Sequence, residues 1–449
     1  PPAASAPAHA NAPLRNPALS NVIVMPLFYS IWSPVVTCIF QQSAYEISNH
    51  CQSLCYTSVM MKRIGIFVER QRAWGRRLYE GIAAYAQERR DWELSALERS
   101  DLGNRRTALR FDGFVARVYD KSIARALKRL GKPIADVSCE LLLPSPFALG
   151  VLQDNDAIGT LAARHFLEHR FTHFAFCGFD GKRFSDARRD AFVRYLRERG
   201  GDVRSYRSPR CAVRQLDESF ARSERLDCGP DSSQLRTWLT QLPKPAGVFC
   251  ANDLRAFQVS EACKGCGLKV PDDVSILGVD NDILVCNLTN PTLSSIDPDA
   301  FSLGHSAAEC LDRILSGDLT AQPRKIPPIG IVPRVSTETY PLEPSWLSEA
   351  LLFIQRNVGN HLTASDVCAH VQRSHTYVNR FFRDRLGKTI QREIRDAQLA
   401  EAQRLMSTTD LTLAQIAQRA GFATPQYFTN VFTSAFGHPP SAFRTMSSP

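Results

Sequence analysis

The sequence lacks the short motifs that mark most hydrolases, kinases and metalloenzymes. Its 449 residues contain no Gly-x-Ser-x-Gly elbow, no glycine-rich phosphate loop with a lysine and no His-Glu-x-x-His pair. Each of these motifs fixes a nucleophile, a phosphate or a metal, so their absence leaves a catalytic function without a specific site. The ten histidines are also dispersed. We therefore expect a protein that is not an enzyme and that uses neither a cofactor nor a metal.

Cysteine usage shows no disulfide framework. The thirteen cysteines are scattered without a repeated spacing, as expected of free thiols in a reducing cytoplasm. The closest pair, Cys263 and Cys266, has no second cysteine or histidine pair at zinc-site spacing. It falls near the end of an apparent helix, so we interpret it as packing rather than redox chemistry or metal binding.

Length and charge indicate a chain of several domains with some affinity for polyanions. A length of 449 residues suggests two or three domains. The formal charge of +9 suits contacts to phosphates, but it is modest and does not by itself demonstrate nucleic-acid binding.

Residues 1–60 differ from the rest of the chain. They open with a low-complexity stretch rich in proline and alanine, which predicts disorder. Residues 22–40 are apolar over nearly the length of a membrane span, but Pro26 and Pro34 interrupt them. An anchor or export signal is one interpretation. We favour the other, in which Met60 or Met61 is the natural start and the preceding residues lie outside the fold.

Two helix-turn-helix patterns stand in tandem near the C-terminus. In each, a threonine (Thr363 or Thr412) is placed to cap a short helix with apolar residues at helical spacing. A tight turn and a second amphipathic helix follow, closed by Gly387 or Gly437. The separation leaves room for a linking helix over about residues 390–406. Because the second helix of such a unit fits the major groove, two of them predict contacts in successive grooves.

Residues 345–444 resemble the DNA-binding domain of the AraC family of transcription activators, most specifically in the run from Pro439 to Arg444 and in the aromatic residues before it. The resemblance implies an all-α domain over residues 346–449 that binds double-stranded operator DNA.

The resemblance also places base contacts on outward polar residues near the start of each recognition helix: Thr376, Asn379 and Arg380 in the first, and Gln426, Thr429 and Asn430 in the second. Asn and Gln pair with adenine and Arg with guanine. Pro425 departs from the family at a common contact position. A helical bundle without a nucleic-acid role is the alternative.

Between residues 61 and 338 short apolar runs alternate with helical patterns. This alternation predicts an α/β fold with parallel sheets, and its length suggests two similar lobes with a cleft between them. Predicted strands cover residues 64–68, 92–96, 113–116, 134–137, 174–177, 247–250 and 274–279. Predicted helices cover residues 76–89, 121–129, 157–169, 186–200, 232–242, 253–267 and 299–315. Ligands of such sheets bind beyond the carboxyl ends of the strands.

The same region resembles the sugar-binding core of the LacI family, which is itself similar to periplasmic sugar-binding proteins. The carrying segments are residues 154–159, 186–192, 247–253, 267–281 and 293–296. The resemblance implies a two-lobed domain over residues 61–338 that binds a monosaccharide effector. The overall similarity of the chain, in which this core precedes the AraC-like tail, favours xylose or a related pentose. It points to five ligand contacts: Asp154, Arg188, Asn252, Asp253 and Asp280.

The chemistry of these residues suits a sugar. Carboxylates accept hydroxyl groups, an arginine offers a planar donor fork, and an asparagine both donates and accepts. Ordinary structural roles remain open, because Asp253 could cap its helix, Asp154 could close a turn and Arg188 could lie on the surface. Trp74 is a further candidate, for stacking on the ligand.

Together these patterns favour a cytoplasmic, sugar-responsive activator of transcription. Such a protein is expected to form a homodimer, to recruit RNA polymerase and to have no contact with a membrane. Residues 322–344 are rich in proline and predict a stiff linker, of which residues 339–345 form the end. A membrane-anchored sensor would need a span there, and the stretch is too charged and too short. A transport binding protein would have no use for the DNA-binding tail.

Overall fold

The computed structural model has two six-stranded sheets between residues 62 and 332. It describes residues 61–143, 148–219, 228–318, 323–409 and 411–447, so the predictions about residues 1–60 lie outside it. The first sheet has the strand order β11-β5-β4-β3-β1-β2 and is entirely parallel. Its strands are β1 (Lys62–Phe67), β2 (Trp92–Ala96), β3 (Gly113–Ala116), β4 (Ile134–Asp136), β5 (Ala148–Gln153) and β11 (Arg324–Ile326).

The second sheet has the order β12-β10-β9-β8-β6-β7. It is parallel except at its edge, where β12 runs antiparallel to β10. Its strands are β6 (His173–Cys177), β7 (Val203–Ser205), β8 (Ala246–Cys250), β9 (Val274–Val279), β10 (Ser294–Asp297) and β12 (Gly330–Val332). All six residues of β9 are buried, as expected of a central strand that helices cover on both faces.

Helices pack on both sheets and define a first and a second lobe. The first-lobe helices are α1 (Ala73–Arg89), α2 (Arg105–Arg110), α3 (Lys121–Leu130) and α10 (Ala300–Leu315). The second-lobe helices are α4 (Asn155–Glu168), α5 (Arg183–Arg197), α6 (Arg210–Ser219), α7 (Ser232–Gln241), α8 (Asp253–Gly265) and α9 (Ile283–Leu288). The predicted α/β class with two parallel-sheet lobes is confirmed.

The chain passes between the lobes three times. It crosses at Asp154 between β5 and α4, at residues 298–299 between β10 and α10, and at residues 327–329 between β11 and β12. The three crossings are joined by backbone hydrogen bonds: Asp154 donates to Ile326, and Ile329 donates to Asp297.

The proline-rich stretch is not a free linker, which corrects the prediction for residues 322–344. It supplies one strand to each sheet, β11 and β12, and then a short 3-10 turn at Val335–Thr337. Ser336 in that turn is buried, and its hydroxyl donates to the carbonyl of Ile276 on β9. Because Pro327 and Pro328 fall between the strands rather than inside them, they cost the sheets no hydrogen bond.

The remainder of the described chain is helical. It contains α11 (Ser345–Asn357), α12 (Ala364–His370), α13 (His375–Leu386), α14 (Ile390–Thr408), α15 (Leu413–Arg419), α16 (Pro425–Phe436) and α17 (Pro440–Ser447). Both predicted caps are present as capping boxes, Thr363 with Asp366 and Thr412 with Gln415. Gly387 and Gly437 end α13 and α16 in the left-handed conformation, as predicted. No helix in the part of the chain described here has the length and apolarity that crossing a membrane requires.

Candidate ligand cleft and nucleic-acid interface

A cleft of about 670 Å³ opens where the carboxyl ends of the two sheets face each other. Both lobes contribute to its wall, which agrees with the predicted position. The first lobe contributes residues that follow β1, β3 and β4 or end β5: Glu69, Arg72, Trp74, Arg117, Tyr119, Val137, Ser138, Cys139, Glu140 and Gln153. The second lobe contributes Lys182, Phe184, Arg188, Asn252 and Asp280.

Arg188, on α5, is a buried cation held by neutral oxygens. Its Nε donates to the amide oxygen of Asn155 at 2.9 Å, and its Nη2 donates to that of Gln153 at 3.0 Å. Its Nη1 donates to the backbone carbonyl of Ala251. Only 2% of the residue is exposed, and burial lowers the pKa of Arg188, against the raising effect of Asp280. The surface role that the sequence left open for this residue is excluded.

Asp280 follows β9 and also lines the cleft. Its backbone has a φ of 111°, a conformation that places an aspartate under strain. Burial raises the pKa of Asp280 to about 6, although the nearby cations Arg188, Arg72 and Arg117 act to lower it. A carboxylate in this position can accept two hydroxyl groups of a bound sugar.

Trp74 lies at the start of α1 and is buried in the cleft wall. The guanidinium of Arg117 lies 4.6 Å from the centre of its ring, which is cation–π distance. Arg117 also forms an ion pair with Glu69. These contacts join the loops after β1 and β3 into one polar wall with an aromatic backing.

Asn252 lines the cleft and also caps α8, because its amide oxygen accepts the backbone N–H of Arg255 at 2.9 Å. Its amide nitrogen is the group that remains to donate to a ligand. Sequence reasoning found this residue together with Arg188, Asp280 and Trp74, and the fold brings all four to one cleft.

Two other expected contacts, Asp154 and Asp253, are not among the residues that line the cleft. Asp154 caps α4 by accepting the backbone N–H of Ala157. Asp253 is buried behind the wall, where its carboxylate accepts the hydroxyl of Ser295 at 2.6 Å and the backbone N–H of Asp282 at 2.8 Å. Burial raises the pKa of Asp253 well above its usual range. Asp154 therefore caps a helix rather than closing a turn, and Asp253 is held by buried hydrogen bonds while Asn252, not Asp253, caps α8.

Several cleft residues were missed from the sequence. Glu69 and Arg72 lie in the loop after β1 and Lys182 in the loop after β6, and in the sequence their charge alone does not distinguish them from surface residues. Arg117 follows β3, and Gln153 ends β5. The signal that could have found them is position, because each lies at the carboxyl end of a parallel strand.

The six expected base-contacting residues lie on α13 and α16. The two helices repeat at an offset of 50 residues, so Thr376, Asn379 and Arg380 correspond in turn to Gln426, Thr429 and Asn430. Thr376, Arg380, Gln426 and Asn430 are exposed, as a groove-reading face requires.

The other two residues of this face have structural contacts as well. The amide oxygen of Asn379 accepts the backbone N–H of Ile390 at 3.2 Å, which ties α13 to the start of α14. The hydroxyl of Thr429 donates to the carbonyl of Pro425 within α16. Pro425 occupies the first turn of its helix, where the missing N–H costs nothing.

Within the described residues no group of histidine, cysteine and carboxylate side chains is arranged to hold a metal. The thiol of Cys266 donates to backbone carbonyls of α8, and Cys263 is buried in the core of the second lobe. The interpretation of this pair as packing agrees with both contacts.

Two family models match the chain. A periplasmic binding protein-like domain matches residues 163–337, and a helix-turn-helix domain matches residues 367–446. The order of the two is the one expected from the sequence.

Relatives cover most of the chain. It is 25% identical to the xylose operon regulatory protein of Haemophilus influenzae over 85% of this chain and 98% of that protein. It is 27% identical to the protein of the same name from Escherichia coli K12, over 86% of this chain and 97% of that protein. A solved structure of the xylose-binding transcription activator xylR is similar with a TM-score of 0.52 and 26% identity, over 86% of this chain and 98% of that one.

The comparisons confirm the resemblance to regulators in which a LacI-type sugar-binding domain precedes an AraC-type DNA-binding domain. Because these relatives are regulators of transcription, they also support the expectation that the chain is not an enzyme.

Proposed function

We propose that this transcription regulator, which shares its two-domain architecture with the xylose operon regulatory proteins, activates genes in response to a monosaccharide. The observation that carries the proposal is the cleft. It places a buried arginine, an aspartate, an asparagine and a tryptophan (Arg188, Asp280, Asn252 and Trp74) in one wall, on the chain that also holds two exposed groove-reading helices. Xylose and related pentoses are the first candidates, because the relatives named above are xylose regulators.

Each cleft residue has a defined task in this proposal. Arg188 is fixed by three acceptors, so its two other Nη hydrogens can be offered to sugar oxygens without loss of its position. Asp280 accepts hydroxyls, the amide nitrogen of Asn252 donates, and Trp74 backs the site. These charged, amide and aromatic groups suit a small ligand that carries many hydroxyl groups.

Helix α4 links the cleft to the DNA-binding part. At its start, Asn155 is buried and accepts the Nε proton of Arg188. At its end, the rings of His165 and His169 lie 4.1 Å apart, and His169 stacks on Tyr340 with 5.0 Å between ring centres. Tyr340 packs against the core of the first helix-turn-helix, and its carbonyl accepts the hydroxyl of Ser348 on α11.

A helix is a stiff connection, and fourteen residues span about 21 Å. Gly159 in α4 approaches α5 so closely that a β-carbon there would lie 2.4 Å from the carbonyl oxygen of Arg188. A shift of α5 on ligand binding must therefore displace α4 as well. We infer that this displacement reaches the DNA-binding part through His169 and Tyr340.

Activation in this scheme follows from the arrangement of two DNA-binding parts in a homodimer. Ligand binding favours one arrangement of the lobes, and the two tandem helix pairs then fit their half-sites in register and recruit RNA polymerase. Such couplings are typically about 1–3 kcal/mol, which is a change of roughly 5- to 150-fold in affinity.

The test uses the full chain. A duplex that it prefers is selected from a random library, and calorimetry then measures a panel of pentoses and hexoses with and without that duplex. We expect at least one monosaccharide to bind, and the duplex to tighten its binding by the factor by which the sugar tightens DNA binding. The proposal is refuted if no duplex is selected, or if no sugar or sugar derivative changes DNA affinity.

A further inference from the structure

Gln153 is the last residue of β5 and lies in the wall of the ligand cleft. Its side chain is an amide at a position where the sheet needs none, because the pairing of β5 with β4 and β11 uses only main-chain groups. Only 8% of the residue is exposed. The next residue, Asp154, caps α4, so the cleft receives the side chain one position before the carboxylate that the sequence indicated.

The two ends of this amide differ in their hydrogen bonds. The Oε1 atom of Gln153 accepts Nη2 of Arg188 at 3.0 Å, which fixes the orientation of the amide, since the reversed amide would place one donor against another. The Nε2 atom is buried as well, but among the residues that the structure describes no group accepts a hydrogen bond from it. A buried donor without an acceptor is unfavourable and rare in folded proteins.

Asn155 provides an internal comparison, because it is a second buried amide that holds Arg188. Its Oδ1 accepts Nε of Arg188 at 2.9 Å, and its Nδ2 donates to Sγ of Cys139 at 3.1 Å. Asn155 is thus satisfied at both ends, and it is not one of the residues that line the cleft. The unsatisfied donor of Gln153 therefore goes with its place in the cleft wall rather than with its contact to Arg188.

The location of Gln153 also matters for lobe closure. The three polar contacts proposed above, Arg188, Asn252 and Asp280, all belong to the second lobe. A ligand stabilises a closed arrangement only to the extent that it binds that arrangement better than the open one. A polar contact from β5 in the first lobe lets the same sugar hold both lobes at once.

We propose that Gln153 is a specificity-determining contact of the effector, an inference that rests on the proposed function because it adds a residue to the same sugar site. Its Nε2 donates to one oxygen of the bound sugar, while its Oε1 continues to hold Arg188. The site therefore requires an oxygen at this point of the ligand, either a hydroxyl or the ring oxygen. A ligand without that oxygen leaves a buried donor unpaired, which is how hydrogen-bonding sites reject close analogues.

The experiment is calorimetry on the full chain with D-xylose and analogues that each change one oxygen. These are the four monodeoxy analogues and 5-thio-D-xylose, in which sulfur replaces the ring oxygen. If another sugar of the panel binds more tightly, the same series is made on that sugar. In the parent, the analogue that lacks the oxygen bound by Gln153 should bind about tenfold more weakly than the complete sugar.

Variants separate contact from positioning. Gln153→Met keeps the length of the side chain but removes the donor, so the discrimination against that one analogue should fall severalfold. Gln153→Glu keeps an acceptor for Arg188 and also removes the donor, so it should change the same ratio and no other. Asn155→Leu is the matched control, because it removes a different acceptor of Arg188 from outside the cleft wall. It should weaken all ligands by a similar factor. Thermal unfolding identifies any variant that fails to fold.

The outcomes distinguish the two proposals. Equal weakening of the whole series in Gln153→Met, with all ratios unchanged in Gln153→Glu, would mean that Gln153 only positions Arg188, and the inference is overturned. The same analogue-specific change in Asn155→Leu overturns it as well. In both cases the proposed function stands if the sugar changes DNA affinity. If no sugar of the panel binds the parent, the proposed function fails and the role of Gln153 with it.

Discussion

The imidazole ring of His169 lies flat against the phenol ring of Tyr340, with 5.0 Å between the ring centres and 11° between the planes. His169 follows directly on α4, the helix whose first residue, Asn155, holds Arg188 in the ligand cleft. Tyr340 packs against the core of the first helix-turn-helix. Burial lowers the pKa of His169, so the ring is neutral near pH 7 and stacks as an uncharged aromatic. This contact is the point where the sugar-binding part meets the DNA-binding part along α4.

His169→Ala should weaken the coupling between ligand and DNA. The variant removes the stack on Tyr340 but touches neither the cleft nor the recognition helices, so each separate affinity should stay within about twofold of the parent. The factor by which operator DNA tightens ligand binding should fall towards one. His305→Ala, which removes a histidine packed on Tyr85 in the first lobe, is the control. An unchanged coupling factor in His169→Ala would exclude this route.

Removing a charged partner from the cleft should weaken ligand binding strongly. We expect Arg188→Ala and Asp280→Ala each to cost about 2–5 kcal/mol of binding free energy, measured by calorimetry. Asp154→Asn is the control, since asparagine can cap α4 as aspartate does and the side chain lies outside the cleft wall. Thermal unfolding identifies any variant that fails to fold. Parent-like affinity in a folded Asp280→Ala would show that the site is misplaced.

Ligand affinity should depend on pH around the pKa of Asp280, which is raised to about 6. The cations Arg188, Arg72 and Arg117 act to lower the pKa of this carboxyl, and the nearby carboxyl groups of Asp253 and Asp282 also interact with it. As the pH falls through 6, Asp280 gains a proton. It then loses acceptor capacity for hydroxyls, so a neutral sugar should bind more weakly at pH 5 than at pH 8. Asp280→Asn should flatten this profile, and a dependence that survives in this variant would assign the titration to another group.

Arg380 and Gln426 should read bases. We expect Arg380→Ala and Gln426→Ala each to lose about 1–3 kcal/mol of discrimination between the selected duplex and a scrambled one, with a smaller loss of general affinity. Competition binding by fluorescence anisotropy measures both quantities. Arg385→Ala removes an exposed charge from the far end of α13 and serves as the control. An unchanged preference for the selected duplex would rule out these contacts.

Gly421 should matter more for stability than Gly387. Both glycines have a positive φ, so alanine at either position costs about 1–2 kcal/mol. At Gly421 a β-carbon would also lie 2.0 Å from the carbonyl oxygen of Val358, at the end of α11, whereas at Gly387 nothing lies within 4 Å. Gly421→Ala should therefore lower the free energy of unfolding by about 1–3 kcal/mol more than Gly387→Ala. Equal losses in denaturant titrations would contradict this.

The sequence was most informative where one residue type has one local role. The caps Thr363 and Thr412 and the closing glycines Gly387 and Gly437 set the helix ends as predicted. Short apolar runs such as that of β9 were found because they alternate with helical patterns, which indicates the strands of a parallel sheet. The linking helix, predicted over residues 390–406, extends over Ile390–Thr408.

The errors share a physical cause, which is that distant parts of the chain decide the outcome. The strands β11 and β12 have three residues each and exist because they pair with β5 and β10. Asp154 and Asp280 both follow strands, and only the folded chain shows that the first caps a helix while the second lines the cleft. The position of Arg117 after β3 is visible in the sequence, but only the folded chain shows its ion pair with Glu69 on another loop.

The third crossing between the lobes has a mechanical consequence. When the lobes rotate, their three connecting segments must change their dihedral angles, and the last of them, residues 327–329, contains Pro327 and Pro328. Proline fixes φ, so this segment has fewer torsions to absorb the rotation than the other two. It also leads directly through β12 to the helices that bind DNA. We therefore expect cleft closure and reorientation of the C-terminal helices to behave as one mechanical degree of freedom rather than as two motions in sequence.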